Sequence, residues 1–572
     1  MTERSEDMSA STPKKNSFFG GAAILTAGIV IVKVIGALFK IPLANILSDA
    51  AFADFNQAYN IYALLIIIST GGLPVALSKM VSEANARGRI NQVNQVYRLA
   101  FVAFCVLGTI SFLIMAVFPR QLADLMNNSR SYWSILALAP AVFFICPMSA
   151  LRGYFQGHSL MTPTAVSQII EALCKLVIGL TLASFIMEKG MDESLAAAGA
   201  ILGVSVGVLL ALLYMYWRYR IHQAHQKRGQ DEPDSSREIL RTLARLAIPI
   251  TIGSSIIAAT NILDAAILMD RLQKALQMTL DDARTLQGMY NKTMTLYNLP
   301  ASFMVPLTAS VIPAVSAARA LRNSKQGALI SETTLRTTAL LALPAGVGLF
   351  VLGEPIIRLL YPSTGDVALT GWMLSVLGIA SIAVCFMTVS NSIMQAHKLV
   401  TLPMVTTLIG CVLKLIVGYV LIGSPEIGVR GGAISTVVCF SIIAILDLVI
   451  IKLVLPRSLS YFRVFVKPAA ATAVMGLAAW AVYGLSSRAL VALDLFHKLD
   501  ADGAYIPGPF VNLLEDGTKV LSGLGNAASV MAAIGIAAVI YFALILLTRA
   551  ISKEDLSLMP KGDKIARLLH IQ

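Results

Sequence analysis

The sequence predicts an all-α polytopic membrane protein: 14 transmembrane helices, arranged as two pseudo-symmetric six-helix lobes plus two extra C-terminal helices. Three observations predict it. Of 572 residues, 56% are apolar and only 13% are charged, whereas a soluble domain carries about 25% charged residues. Fourteen stretches are apolar and long enough to cross a bilayer, and part of the first half recurs in the second. The composition excludes a soluble enzyme, because single water-soluble cores stop growing near about 250–300 residues. A secreted disulfide scaffold is excluded too, since the six cysteines lie in apolar runs without paired spacing. A transmembrane barrel would show short alternating segments instead.

A spanning helix needs about 20 mostly apolar residues. On that criterion spans fall at 19–41, 53–80, 97–118, 132–156, 162–186, 195–217, 244–269, 286–315, 329–352, 367–395, 401–423, 429–454, 464–486 and 525–548. The implied organisation is a disordered polar tail at 1–17, an N-lobe at 18–217 (spans 1–6), a charged linker at 218–243, and a C-lobe at 244–454 (spans 7–12). Spans 13 and 14 follow at 455–548 with a long loop at 487–524, and a second tail occupies 549–572. The first apolar run is too long for a signal-peptide core.

An even number of spans puts both termini on one side. With the N-terminus taken as cytoplasmic, the cytoplasmic segments hold 24 Lys and Arg residues and the outer segments 10. That asymmetry is a positive-inside signal, and one miscounted helix in the middle would have erased it. The net charge of +13 is thereby read as basic loops facing anionic phospholipids. Nucleic acid is not expected, because no basic patch is interleaved with aromatics.

The internal repeat appears at a shift of 239 residues. Residues 156–182 (QGHSLMTPTAVSQIIEALCKLVIGLTL) and 395–421 (QAHKLVTLPMVTTLIGCVLKLIVGYVL) are identical at 10 of 27 positions. The matches include Gln156/Gln395, His158/His397, Thr162/Thr401 and Lys175/Lys414, which apolar drift would not align. Pro74 meets Pro313 at the same shift. The unit is six spans, an even number, so both copies share one topology about an axis along the membrane normal. Two-lobed transporters with substrate between the lobes have this arrangement.

Ionisable residues inside spans cost at least ~2.5–3.5 kcal/mol and face a wet cavity or a partner. Lys33 lies about 21 Å into span 1 at 1.5 Å per residue, too deep to anchor at the near interface, and is read as an anion contact in a cavity. Lys40, near the far end of the same span, either lines that cavity or snorkels. In span 5, Gln168, Glu171 and Lys175 share one helix face, where Glu171 and Lys175 either pair locally or face the cavity. Lys414 repeats Lys175, but Gly410 replaces Glu171, which leaves a net positive position in the second lobe. Asn261, Asp264, Asn291 and Lys292 lie in the outer halves of spans 7 and 8. Asn261 and Asp264 are candidates for ion coupling, with a pair between Asp264 and Lys292 as the alternative. The candidate cavity set is thus Lys33, Lys40, Glu171, Lys175, Lys292 and Lys414. Gly71-Gly72-Leu73-Pro74 and Pro300, Pro306 and Pro313 interrupt spans 2 and 8 and mark bending points. No Walker, HExxH or GxSxG motif is present, so no enzyme or ATPase is expected, and no metal or cofactor.

The string Leu151–Glu171 (LRGYFQGHSLMTPTAVSQIIE) resembles the span 4–5 signature of bacterial lipid II flippases of the MurJ type and their SpoVB-like relatives. These belong to the superfamily of multidrug, oligosaccharidyl-lipid and polysaccharide exporters. Residues 71–88 (GGLPVALSKMVSEANARG) resemble the second span of that family, and Lys33-Val-Ile-Gly36 its span 1 motif. The resemblance implies a central cationic cavity and a groove at spans 13 and 14 for a lipid tail. The substrate it implies is undecaprenyl-pyrophosphate-linked peptidoglycan precursor (lipid II), moved from the inner to the outer leaflet of the bacterial plasma membrane by alternating access. Membrane potential or an ion gradient (H+ or Na+) would supply the energy, and cell-wall synthesis proteins would be partners. The alternatives are another polyprenyl-linked oligosaccharide or polysaccharide, or a non-transporting cell-wall or sporulation scaffold. The sequence departs from the family in carrying Lys33 at the usual arginine, and Asn56, Gln57 and Asn60 where some members place another; lysine lacks arginine's planar fork for phosphate.

Overall fold

The computed structural model describes residues 15–224, 229–320, 323–397, 399, 401–454, 461–494, 498–499, 505–506, 508–513 and 518–548. Among them the chain is almost entirely helical. The first half contains α1 (Lys15–Ile46), α2 (Asp49–Thr70), α3 (Leu73–Ala86), α4 (Ile90–Val117), α5 (Pro119–Leu125), α6 (Tyr132–Gly157), α7 (Thr162–Cys174), α8 (Leu180–Glu188) and α9 (Glu193–Ala224). The second contains α10 (Ser236–Lys274), α11 (Leu280–Tyr297), α12 (Leu299–Ser302), α13 (Val305–Ala320), α14 (Ser324–Val351), α15 (Gly353–Leu360), α16 (Val367–Ala396), α17 (Thr401–Ile422) and α18 (Arg430–Val454). Two more follow, α19 (Tyr461–Leu493) and α20 (Gly523–Leu547). Residues 1–14 of the first expected tail, the whole of the second and about a third of the loop expected at 487–524 lie outside the described residues, while residues 15–17 already belong to α1. Within that loop α19 runs on to Leu493, and two short antiparallel hairpins pair Lys498–Leu499 with Tyr505–Ile506 and Val511–Leu513 with Lys519–Leu521.

Thirteen helical stretches among the described residues are long and apolar enough to cross a membrane. They coincide with thirteen of the fourteen expected spans. The expected eighth span is not one helix but three consecutive ones, α11 to α13. Proline cannot donate to the helical ladder and clashes with the preceding turn, so the chain breaks at Asn298–Leu299, just before Pro300, and again at Phe303–Met304, just before Val305-Pro306. Its beginning at Arg284 touches Asp54. Its far part, at Val311 and Val315, packs with Ile393, Ile451 and Val464 on the other face. Span 2 divides similarly at Gly71-Gly72, with Pro74 in the first turn of α3. Span 5 carries a single wide π turn at Lys175–Gly179.

Each lobe is organised around one buried helix. In α6 and in α16, 72% of the spanning window is buried, far more than in most other spans. They end at Gly157 and Ala396, equivalent positions under the 239-residue shift. Small residues allow close approach around them, as in other membrane bundles: Gly108 lies against Cys146, and Gly153 against Pro74. Other spans turn large apolar side chains outward, including Val177, Val420, Leu477 and Val539, as a lipid-facing surface requires. Helices α19 and α20 pack against α14 of the second lobe through Leu340, Met475, Ala537 and Tyr541, and the Tyr541 hydroxyl donates to the Leu340 carbonyl at 2.7 Å.

Loops meet on two faces. On the terminal face, the linker runs beside the start of α4. Asp231 accepts from the backbone N–H of Asn91 and Gln92 at 2.8 and 2.9 Å, and Arg89 pairs with Asp234 at 2.9 Å. On the opposite face, Asn45 donates to the Leu360 carbonyl and Gln273 to that of Asn127. The lobes touch along α2 and α11. A Cβ on Gly288 would lie 1.7 Å from the Asp49 carbonyl oxygen. Asp49 opens α2 and Gly288 lies within α11, the corresponding helix of the second lobe.

Gly288→Ala therefore forces the lobes apart and should lower stability by about 1–3 kcal/mol, the usual cost of overpacking. Gly348 lies inside α14, where an added Cβ would meet nothing within 4 Å. The same change there gains about 0.5–1 kcal/mol of helix stability. Thermal unfolding of the two detergent-solubilised variants checks the contrast.

Candidate functional site

A cavity of about 300 Å³ lies between the lobes. Span 2 contributes Asn56 and Asn60, span 7 Asn261 and Asp264, and α11 Gln287, Tyr290 and Asn291; Asn298 follows, and Lys40 comes from span 1. Carboxamides on three helices make the wall polar without charging it. Asn56 and Asn298 each turn an amide hydrogen back to the carbonyl four residues earlier, at 2.7 and 2.9 Å, which fixes their side chains. The Tyr290 hydroxyl ties this wall to span 12 through Gly432 and Thr436, at 3.2 and 3.0 Å.

Of the first-lobe residues expected at the cavity, only Lys40 lines it; Lys33, Lys175 and Glu171 do not. Lys40 lies within electrostatic reach of Lys175 and Lys33. Lys33 is exposed and Lys175 half-buried. The Lys175 ammonium sits 4.7 Å from the Phe39 ring centroid and 5.4 Å from that of Tyr59, a cation–π cradle at the start of the wide turn. Glu171 does not pair with Lys175. It binds Arg152 at 3.2 Å, and Arg152 also donates to Ser167 at 3.0 Å. Among the described residues no carboxylate lies within ion-pair distance of Lys33, Lys40 or Lys175, so all three keep an unmatched charge.

The second-lobe lysines fall differently from the expectation. Lys414 is not a net positive position: it pairs with Asp264 at 2.8 Å, on the cavity wall beside Asn261. Asp264 is thereby taken by Lys414 rather than by Lys292. Lys292 does not face the cavity. It is fully buried in an ion pair with Asp49 at 2.7 Å and donates to the Thr364 hydroxyl at 2.9 Å. Burial without such partners would be too costly to sustain.

Lys292 belongs to a seam that the sequence reading missed. Arg284 grips Asp54 through Nε and Nη2 at 3.1 and 2.6 Å, a bidentate fork. Asn128 and Ser194 donate to the same carboxylate at 2.8 and 3.0 Å. One level deeper, Gln57 donates to Gln287 at 2.7 Å. The Asp49–Lys292, Asp54–Arg284 and Gln57–Gln287 contacts each take one partner from α2 and one from α11, and together they close the cavity on the face opposite the termini. Arg284 reads in the sequence as an ordinary loop cation and Asp49 and Asp54 as a span's polar start. No pattern in the sequence brings these residues together.

Residues 18–318 match the family described as polysaccharide biosynthesis protein, and residues 282–369 match a second family of that description. Stage V sporulation protein B of Bacillus subtilis (strain 168) is 25% identical over 449 residues, 78% of this chain and 85% of that protein. Lipid II flippase MurJ of the same organism is 26% identical over 423 residues, 70% and 77% of the two chains. Among solved structures, an inward closed conformation of lipid II flippase MurJ superposes with a TM-score of 0.63 at 14% identity, covering 92% of this chain and 98% of that one. An inward-facing multidrug transporter of the MOP superfamily gives 0.59 at 14% identity, over 75% and 96%. The flippase and the multidrug relative are named as transporters, the fold is shared with both, and the first match spans more than half of the sequence: the chain belongs to the polysaccharide biosynthesis protein family, on its MurJ- and SpoVB-like side.

Proposed function

We propose that this protein is a flippase for undecaprenyl-pyrophosphate-linked glycan, lipid II foremost, working by alternating access with both termini cytoplasmic. The observation that carries the reading is the interlobe cavity, with Lys40 on its wall, Lys33 and Lys175 within electrostatic reach of that lysine, and a closed seam beyond. A pyrophosphate entering from the terminal face would meet Lys33, Lys40 and Lys175. The carboxamides of Asn56, Asn60, Asn261, Asn291 and Asn298 offer donors and acceptors to phosphate and sugar oxygens alike. Lysine binds phosphate as a point charge without fixing its orientation, so the carboxamides would have to supply the orientation.

Delivery to the outer leaflet requires the seam to part. The Asp49–Lys292 and Asp54–Arg284 pairs must then exchange each other for water or for the passing substrate. Asp264 is the candidate coupling group: an entering H+ or Na+ would compete with Lys414 for its carboxylate, with Asn261 alongside. A different polyprenyl-linked glycan is the second reading. It is favoured by the near-equal identity of the sporulation and lipid II relatives, 25% and 26%.

The test is rescue of a bacterium depleted of its own lipid II flippase, with lipid II accessible from outside quantified. Restored outward lipid II supports the reading; a well-inserted chain that fails to restore it removes lipid II as the leading substrate. In that assay Lys33→Ala and Lys40→Ala should each reduce apparent substrate affinity about 10–100-fold, the worth of one charge-assisted hydrogen bond, and Lys40→Arg should recover most of it. Full rescue by both alanine variants would take the lysines off the pathway. Asp54→Ala leaves the buried Arg284 short of its main partner, a change that costs about 3–5 kcal/mol in buried pairs. A Gln57→Cys reporter, in a background lacking Cys105 and Cys174, should be inert to an impermeant thiol reagent added outside, and become reactive once Asp54→Ala is added.

A further inference from the structure

We propose that the face opposite the termini carries a saccharide-binding groove, lined by Arg120, Arg130, Tyr132, Trp133, Asp192 and Ser194, whose two loops also hold the seam shut. The proposal rests on the flippase reading, since it assigns a landing site for the glycan that a flippase would deliver to this face.

The groove consists of two adjoining hollows of about 320 and 430 Å³ that share Arg130, Asp192 and Ser194. In the first, the Arg120 guanidinium lies 5.6 Å from the Tyr132 ring centroid. Tyr132 meets Trp133 edge-on with centroids 4.9 Å apart, and the indole is left 48% exposed. Arg130 and Asp192, both half-exposed, pair at 3.0 Å across the floor. The second hollow continues to Asp281 and Arg284, and so reaches the seam.

The chemistry selects the ligand. Two arginines and two aspartates, Asp124 and Asp192, line the first hollow, so it has no net formal charge. Arg130 is already matched by Asp192, which leaves a phosphate little to gain there. A neutral polyhydroxylated ligand finds guanidinium donors next to carboxylate acceptors. It also finds an open aromatic face for its C–H surface, the amphipathic platform that tryptophan and tyrosine provide.

The same two loops reach the seam. Asn128 donates to Asp54, and two residues further on Arg130 lies in the groove. Ser194 donates to Asp54, and two residues earlier Asp192 lies in the groove. The backbone N–H of Ser194 also donates to Asp192 at 2.8 Å, so the two move as one turn. A saccharide that repositions Arg130 or Asp192 therefore acts on the Asp54–Arg284 pair through two residues of chain on either side.

The experiment uses the full chain in phosphatidylcholine nanodiscs with N,N′-diacetylchitobiose as the probe, read by saturation-transfer NMR on the sugar. Saturation transfer is expected for the unaltered chain, reduced at least about tenfold in Trp133→Ala and in Asp192→Ala, and unchanged in the remote Trp480→Ala. The sugar should also speed alkylation of Gln57→Cys, and Asn128→Ala should weaken that effect while leaving the NMR signal. No transfer, or transfer indifferent to Trp133→Ala, overturns the groove. Displacement of the sugar by added phosphatidylglycerol assigns it to a lipid headgroup and overturns the proposal equally. Parallel rescue separates the two ideas: a chain that restores outward lipid II without any sugar signal loses the groove and keeps its transport role, whereas a sugar signal without restored lipid II keeps the groove and removes lipid II as the leading substrate.

Discussion

Charge buried between the two lobes is the constraint on which the rest depends. Asp49, Asp54, Arg284 and Lys292 are almost wholly buried, and each must have a partner in place. The partners come from opposite lobes, so the pairs fix how α2 and α11 cross, and that crossing sets where the cavity ends. Gly288 allows the approach by having no side chain where the Asp49 carbonyl lies. Without the contact at that glycine, the two carboxylates would not reach their cations.

The cavity itself is asymmetric although the lobes are related. Lys175 and Lys414 occupy equivalent positions, yet one rests on Phe39 and Tyr59 and the other is neutralised by Asp264. Unmatched positive charge therefore collects on the first-lobe side, while the second lobe presents an ion pair, carboxamides and the Tyr290 wall. An anion entering between the lobes would be drawn to one side, leaving the other free to respond to a different ion.

Much of the architecture was legible in the sequence because depth and helix face are local properties. Apolar length marked the spans, Gly71-Gly72 and Pro300 marked the breaks, and the shared Gln, His, Thr and Lys revealed the repeat. Pairing was not legible. Glu171 and Lys175 share a helix face, but Arg152 approaches Glu171 from α6, on another helix. Lys292 and Asp264 lie on neighbouring spans, but each finds its partner elsewhere, in Asp49 and Lys414. Helix periodicity says which way a side chain points; it carries no information on which distant segment stands opposite, and the partners of Lys292 and Asp264 are 150 or more residues away.

The contact at Gly288 also bears on ancestry. Asp49 and Gly288 meet where the corresponding helices α2 and α11 cross, so a symmetric precursor of two identical halves would have brought two copies of one helix together there. In both interlobe ion pairs the acid is on the first half and the base on the second. Such a division of sign is open only to halves that have diverged, and it makes each half complementary to the other and no longer to itself. The seam thus records the passage from an interchangeable pair to a single committed chain.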